Sequence, residues 1–183
     1  LAIGMASLVS VVDGGKNVKD DGIFGEALVR AGVAGTGHIP MPVDEYLEEQ
    51  LKKPISSQSF RTTARGLREL YRLLGFIDDS DTDVQVTDLG RKAASYSGAS
   101  IGTEQLDFWR TAIRNMTQSD EDERVSHPYQ VLLRLIGQKP GITRAKSALA
   151  LEASDDSAEE LARVVALADL SEEEIRPQIG VSE

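Results

Sequence analysis

The stretch from Gln58 to Leu74 leaves the chain the fewest conformational options. Ser56-Ser57-Gln58-Ser59 offers N-cap candidates and Gly75 a helix stop. Between them Phe60, Ala64, Leu67, Tyr71 and Leu74 recur at 4-3-4-3 spacing, one helical face to bury. Arg61, Arg65, Arg68 and Arg72 repeat at 4-3-4 spacing, a second stripe about 100° round from the first. Glu69 is the sole acid of the segment, while Gln58, Ser59, Thr62 and Thr63 place neutral hydrogen-bonding groups at its N-terminal end. A helix fits the DNA major groove, its N-terminal residues reach base edges, and arginine grips guanine edges or phosphates with two parallel bonds. Gln58, Ser59, Arg61, Thr62, Arg65, Arg68 and Arg72 are therefore candidate DNA-binding residues. A charged stripe on an amphipathic helix is also, more ordinarily, a solvated face.

The residues after Gly75 narrow the fold. Phe76-Ile77 and Val84-Gln85-Val86 read as short strands around the polar turn Asp78–Asp83, and Thr87 or Asp88 caps a further helix reaching about Ser97. Helix, glycine, hairpin, helix is the second half of a winged-helix unit. The text Leu67-Arg-Glu-Leu70-Tyr-Arg-Leu-Leu74-Gly75-Phe76-Ile77 and Val84-Gln-Val86-Thr87-Asp88-Leu89-Gly90-Arg91 resembles the widespread winged-helix pattern over about 35 residues. Winged helices bind either DNA or protein, so the pattern points to a fold before a ligand.

The run Ser59–Ser97, with Gly35-Thr36-Gly37 upstream and His127-Pro-Tyr to Ser157 downstream, is similar to the DNA-recognition region of FokI-like type IIS restriction endonucleases. The resemblance covers about two-thirds of the chain at low identity. It implies tandem helix-turn-helix subdomains reading double-stranded DNA, with a nuclease domain elsewhere in the polypeptide or complex. It also implies that Thr36 and Gly37 approach the DNA backbone. The acidic turn Asp78–Asp83 departs from the pattern, because a wing lying on phosphates is usually basic. That tip is expected to point away from DNA or to meet another protein surface.

The expected fold class is mainly α with a small β-hairpin: a winged-helix module, then a second small helix-turn-helix-like unit. Residues 1–55 form an N-terminal helical and loop segment, 56–98 the winged-helix part, and 99–183 the C-terminal unit. Short helices are expected at Ile23–Arg30, Val43–Lys53, Thr103–Met116, Pro128–Gly137, Thr143–Glu152 and Asp156–Asp169, with a last turn from Ser171. An acidic connector spans Gln118–Ser126. Lys139, Arg144 and Lys146 cluster around the turn before Thr143, either as phosphate clamps or as ordinary surface charge.

The formal charge of −10 opposes nucleic acid, but residues 148–183 hold ten acids against two bases. Glu159-Glu160 and Glu172-Glu173-Glu174 read as solvated helix faces, or as a dock for a basic domain. Cysteine is absent, which removes thiol chemistry and disulfides and suits a reducing cytoplasm. The apolar opening Leu1–Val12 lacks the basic flank of a signal peptide and the length of a membrane span. A first residue of leucine and an unpunctuated end suggest a piece of a longer polypeptide.

No catalytic or metal constellation emerges, and no cofactor is expected in this chain. Restriction nucleases of the usual metal-dependent kind carry an acid two residues before a lysine. The corresponding positions here are Gly14, Asn17, Gln50, Leu51, Gly90, Gly137 and Arg144. His38 and His127 are too few for a histidine-metal site; His127 reads as a helix-start residue and His38 as an exposed loop residue or a phosphate contact. Gly32–Gly37 lacks the spacing of a nucleotide loop. Two readings remain: the recognition region of a type IIS-like endonuclease, or a winged-helix scaffold for protein–protein interaction.

Overall fold

The computed structural model describes residues 1–35, 41–79, 83–120 and 122–179. The fold is mainly α, and the chain divides into two compact units, Leu1–Leu106 and Asp107–Glu183. Among the described residues no helix is long and apolar enough to cross a membrane.

The first unit is assembled from α1 (Ala2–Asp13), α2 (Asp21–Arg30), α3 (Val43–Leu51), α4 (Ser59–Leu73), the antiparallel hairpin β1 (Ile77–Asp79) and β2 (Val84–Val86), and α5 (Asp88–Ser95). Register pairs Ile77 with Val86 and Asp79 with Val84. The opening apolar stretch, which no sequence signal marks as a helix, is α1. Its Met5, Leu8 and Val11 lie in the core with Phe24, Leu28, Phe60, Tyr71 and Phe76. The described residues of 1–55 fall within the first unit.

Glycines set the closest approach inside this unit. A Cβ on Gly25 would meet the ring and backbone of Phe60, and one on Gly90 would strike the carbonyl of Phe76. The end of α4 follows from local chemistry. Gly75 takes φ +68°, its N–H donates to Arg72 O, and the N–H of Phe76 donates to Tyr71 O at 2.9 Å. This paired closure is a Schellman motif. The Tyr71 and Phe76 rings pack across it, 6.2 Å between centroids. Thr87 then joins wing to helix: its hydroxyl donates to Gly75 O at 2.8 Å and accepts from the Gly90 N–H that opens α5.

Helix α6 (Thr103–Arg114) crosses the boundary at Leu106. The second unit continues with α7 (Pro128–Gln138), α8 (Arg144–Ser147), α9 (Ala158–Asp169) and α10 (Glu172–Ile175). Its core gathers Val131, Leu135, Leu149, Leu161, Val164, Leu167 and Ile175. Two elements differ from the sequence expectation. The acidic connector contains a second small hairpin, β3 (Gln118–Ser119) with β4 (Val125–Ser126). The helix expected over Thr143–Glu152 is α-helical only to Ser147 and continues as a 3-10 turn over Ala148–Glu152. Pro128 at the first helical position and the Ser171–Glu174 capping box do what their residue types imply.

Candidate nucleic-acid interface

Helix α4 packs on α2 and precedes the hairpin. Its buried face is Phe60, Ala64 and Tyr71, with Leu67 half-buried. At 100° per residue the middle of that face lies opposite Glu69 and Thr62, with Gly66 about 120° round on the side away from the arginines, and those three are exposed. The arginines fall between the two faces. Measured from the centre of the apolar stripe they stand at about 80° (Arg68), 100° (Arg61), 120° (Arg72) and 140° (Arg65). Their side-chain exposures rise in the same order, 19%, 24%, 39% and 67%.

The four cations are engaged internally. Asp20, the N-cap of α2, accepts from Gly22 N–H and pairs with Arg61 at 3.3 Å. Asp21 holds two arginines at once, Arg65 at 2.9 Å and Arg68 at 3.0 Å. Arg68 also reaches Asp79 at 3.4 Å and donates to the carbonyls of Val18 and Lys19. Arg72 pairs with Glu69 at 2.6 Å, and this bond holds the Glu69 carboxyl below its ordinary range. Gly22 makes room for the packing, because a side chain there would occupy the place of the Arg61 guanidinium.

Of the stripe expected as a free cationic ridge, Arg61, Arg65 and Arg68 are therefore tied to the start of α2, Arg68 also to β1, and Arg72 pairs within α4; Arg65 alone of the four projects mostly into solvent. Gln58 is likewise turned inward. It is 3% exposed, donates to Lys53 O and accepts from Arg61 Nε, so it supports the helix start from inside. Ser59 and Thr62 are exposed, with the Ser59 hydroxyl 3.2 Å from that of Tyr46. Asp79 at the wing faces Lys19 and Arg68, whereas the tip residues 80–82 lie outside the described residues, as do Thr36, Gly37 and His38.

The basic cluster of the second unit is divided. Lys139 Nζ lies 2.6 Å from both carboxylate oxygens of Asp169. Lys146 Nζ donates to the carbonyls of Ala168 and Leu170, so it caps the C-terminal end of α9, where a cation is favoured. Arg144 alone of the three is exposed and has no side-chain partner among the described residues. His127 stands at the start of α7, its Nδ1 2.6 Å from Asp156 and its N–H donating to the same carboxylate. Among the described residues no group of three or more His, Asp or Glu could hold a metal ion.

In sequence Asp20-Asp21-Gly22 presents itself as a turn, which hides the role of both acids. The available signal is an N-cap aspartate before a helix with acid in its first turn, a pattern that marks carboxylates fixed in place and able to receive arginines. No protein-family model, curated protein or solved structure matches the chain.

Proposed function

We propose that the chain works by binding, and that its first unit is a winged-helix scaffold for a protein partner. The observation that supports this reading is the internal neutralisation of α4: each arginine of the stripe has a carboxylate within 3.4 Å. Phosphates approaching Arg61 or Arg68 would compete with Asp20 and Asp21 and be repelled by them, in a protein already at −10. Duplex titrations at low and moderate salt test it. The scaffold predicts no duplex affinity at moderate ionic strength and no site recovered by selection from random duplexes.

One observation favours a second reading, in which the chain is the DNA-recognition region of a type IIS-like restriction endonuclease whose nuclease domain lies elsewhere. Ser59, Thr62, Arg65 and Gly66 form an open, polar, low-relief strip along α4, the shape a groove admits. Exposed ion pairs such as Arg65–Asp21 are worth only about 0–1 kcal/mol, so phosphate can displace them. A selected site bound with steep salt dependence and lost in Arg65→Ala would replace the scaffold with this reading.

A further inference from the structure

On the scaffold reading, we infer that the groove between α2 and α3 is the docking site and that it takes a basic amphipathic helix of the partner. The groove encloses about 580 Å³. One wall is the α2 face carrying Ile23 and Glu26, and the other is the α3 face carrying Leu47, Glu48 and Leu51, with Phe60 of α4 at the floor. Ile23 is half-buried, while Leu47 and Phe60 are 6% and 2% exposed, so the bottom is apolar. Leu51 remains 60% exposed at the lip, and Ile55, four residues on, is 70% exposed. Large aliphatic side chains left open beside a preformed apolar trough are what an amphipathic helix covers.

Charge selects the occupant. Asp44, Glu45, Glu48 and Glu49 of α3 are all exposed, and α3 contains no base. Arg30 bridges Glu26 and Asp44 at one end, and Arg61 is held by Asp20 at the other. Of these acids Glu48 lines the groove without a side-chain partner among the described residues, whereas Glu45 and Glu49 lie round the far side of α3. The rim therefore offers unpaired negative charge above an apolar floor. Lysine or arginine flanking an apolar stripe complements it, whereas an acidic helix or phosphate is repelled. At ten residues α2 is about 15 Å long, so about three helical turns of partner fill the groove.

The test is an NMR-monitored titration of the whole chain with a synthetic helix of about 14 residues, leucines at i, i+3, i+4 and i+7 and lysines elsewhere. Shifts concentrated on α2 and α3, with affinity that falls as salt rises, are the expected result. Leu51→Ser and Glu48→Lys, both at exposed positions, should each weaken binding about tenfold. Glu173→Lys in the second unit should leave it unchanged. Equal binding by a scrambled peptide of the same composition, equal binding by a leucine–glutamate helix, or shifts elsewhere would overturn the proposal. So would self-association through this face in sedimentation. The two readings fail separately: salt-dependent site-specific duplex binding removes the scaffold function, whereas an unresponsive α2–α3 face removes only this groove.

Discussion

Asp21 illustrates how one side chain organises several others. It stands in the first turn of α2, where a negative charge is favoured by the helix dipole, and its two oxygens receive Arg65 and Arg68. Arg65 is mostly in water, so its share is small; Arg68 and Asp21 are 19% and 15% exposed, and their bond counts for more. Asp21→Asn is expected to destabilise the first unit by about 1–3 kcal/mol, measured by urea unfolding, with Arg65→Ala within about 1 kcal/mol of the parent. Glu160 supplies a pH-dependent counterpart. Its carboxylate, 14% exposed, accepts from Arg163 at 2.6 Å and also from Ser154 N–H, and the arginine chiefly holds its pKa below the ordinary 4.5. A depressed carboxylate stabilises the fold above its unfolded pKa and loses that contribution as pH falls through the folded value. Glu160→Gln should therefore lower stability at neutral pH and flatten its fall below pH 4.5, followed by urea midpoints across the acid range.

At the scale of elements, sequence is informative wherever a residue type has one local use. Gly75, Thr87, Pro128 and Ser171 each end or begin a helix for a stereochemical reason, and the hairpin follows Gly75 as expected, except that β1 runs Ile77–Asp79 and takes in Asp78 and Asp79 read as turn. Thr87→Ala removes an N-cap and the bonds to Gly75 O and Phe76 O together; a loss of about 1–2 kcal/mol is expected in thermal or denaturant melts. Elements without such punctuation escape notice. Leu1–Val12 is apolar nearly all round, so no polar face betrays α1, and two-residue strands such as β3 carry no period. The candidate interface is half legible. Spacing locates the arginine stripe, but a stripe about 100° from the buried face lies on the helix flank. Whether a flank faces water or a neighbour depends on the adjoining helix, and Asp20 and Asp21 lie some 40 positions upstream.

For the whole molecule, charge and chain order matter more than any single contact. The excess acid of residues 148–183 sits in the second unit, and the first carries its own acidic helix in α3. A polyanion thus meets net negative charge on both units, with Lys16, Lys52, Lys53, Arg114, Arg144 and Arg176 exposed and outside ion pairs among the described residues, whereas a basic protein surface meets complementary charge on each unit. Winged-helix order alone leaves the ligand open, so the choice between partners rests on these charges.

The packing of α1 on α5 sets a condition on synthesis. Asp13 and Arg91 form a doubly bonded pair, 3.0 and 3.1 Å, between residues 78 apart, and Met5 lies against Gly90. On the ribosome α1 emerges well before α5 and must wait for it, with Met5 and Leu8 uncovered meanwhile. Such long-range closure slows folding. A chain halted after Asp79 should fail to fold, seen as protease sensitivity, while one extended through Leu106 should resist. The first unit therefore commits late and all at once, and a nascent chain stalled before residue 88 is a natural client for a chaperone.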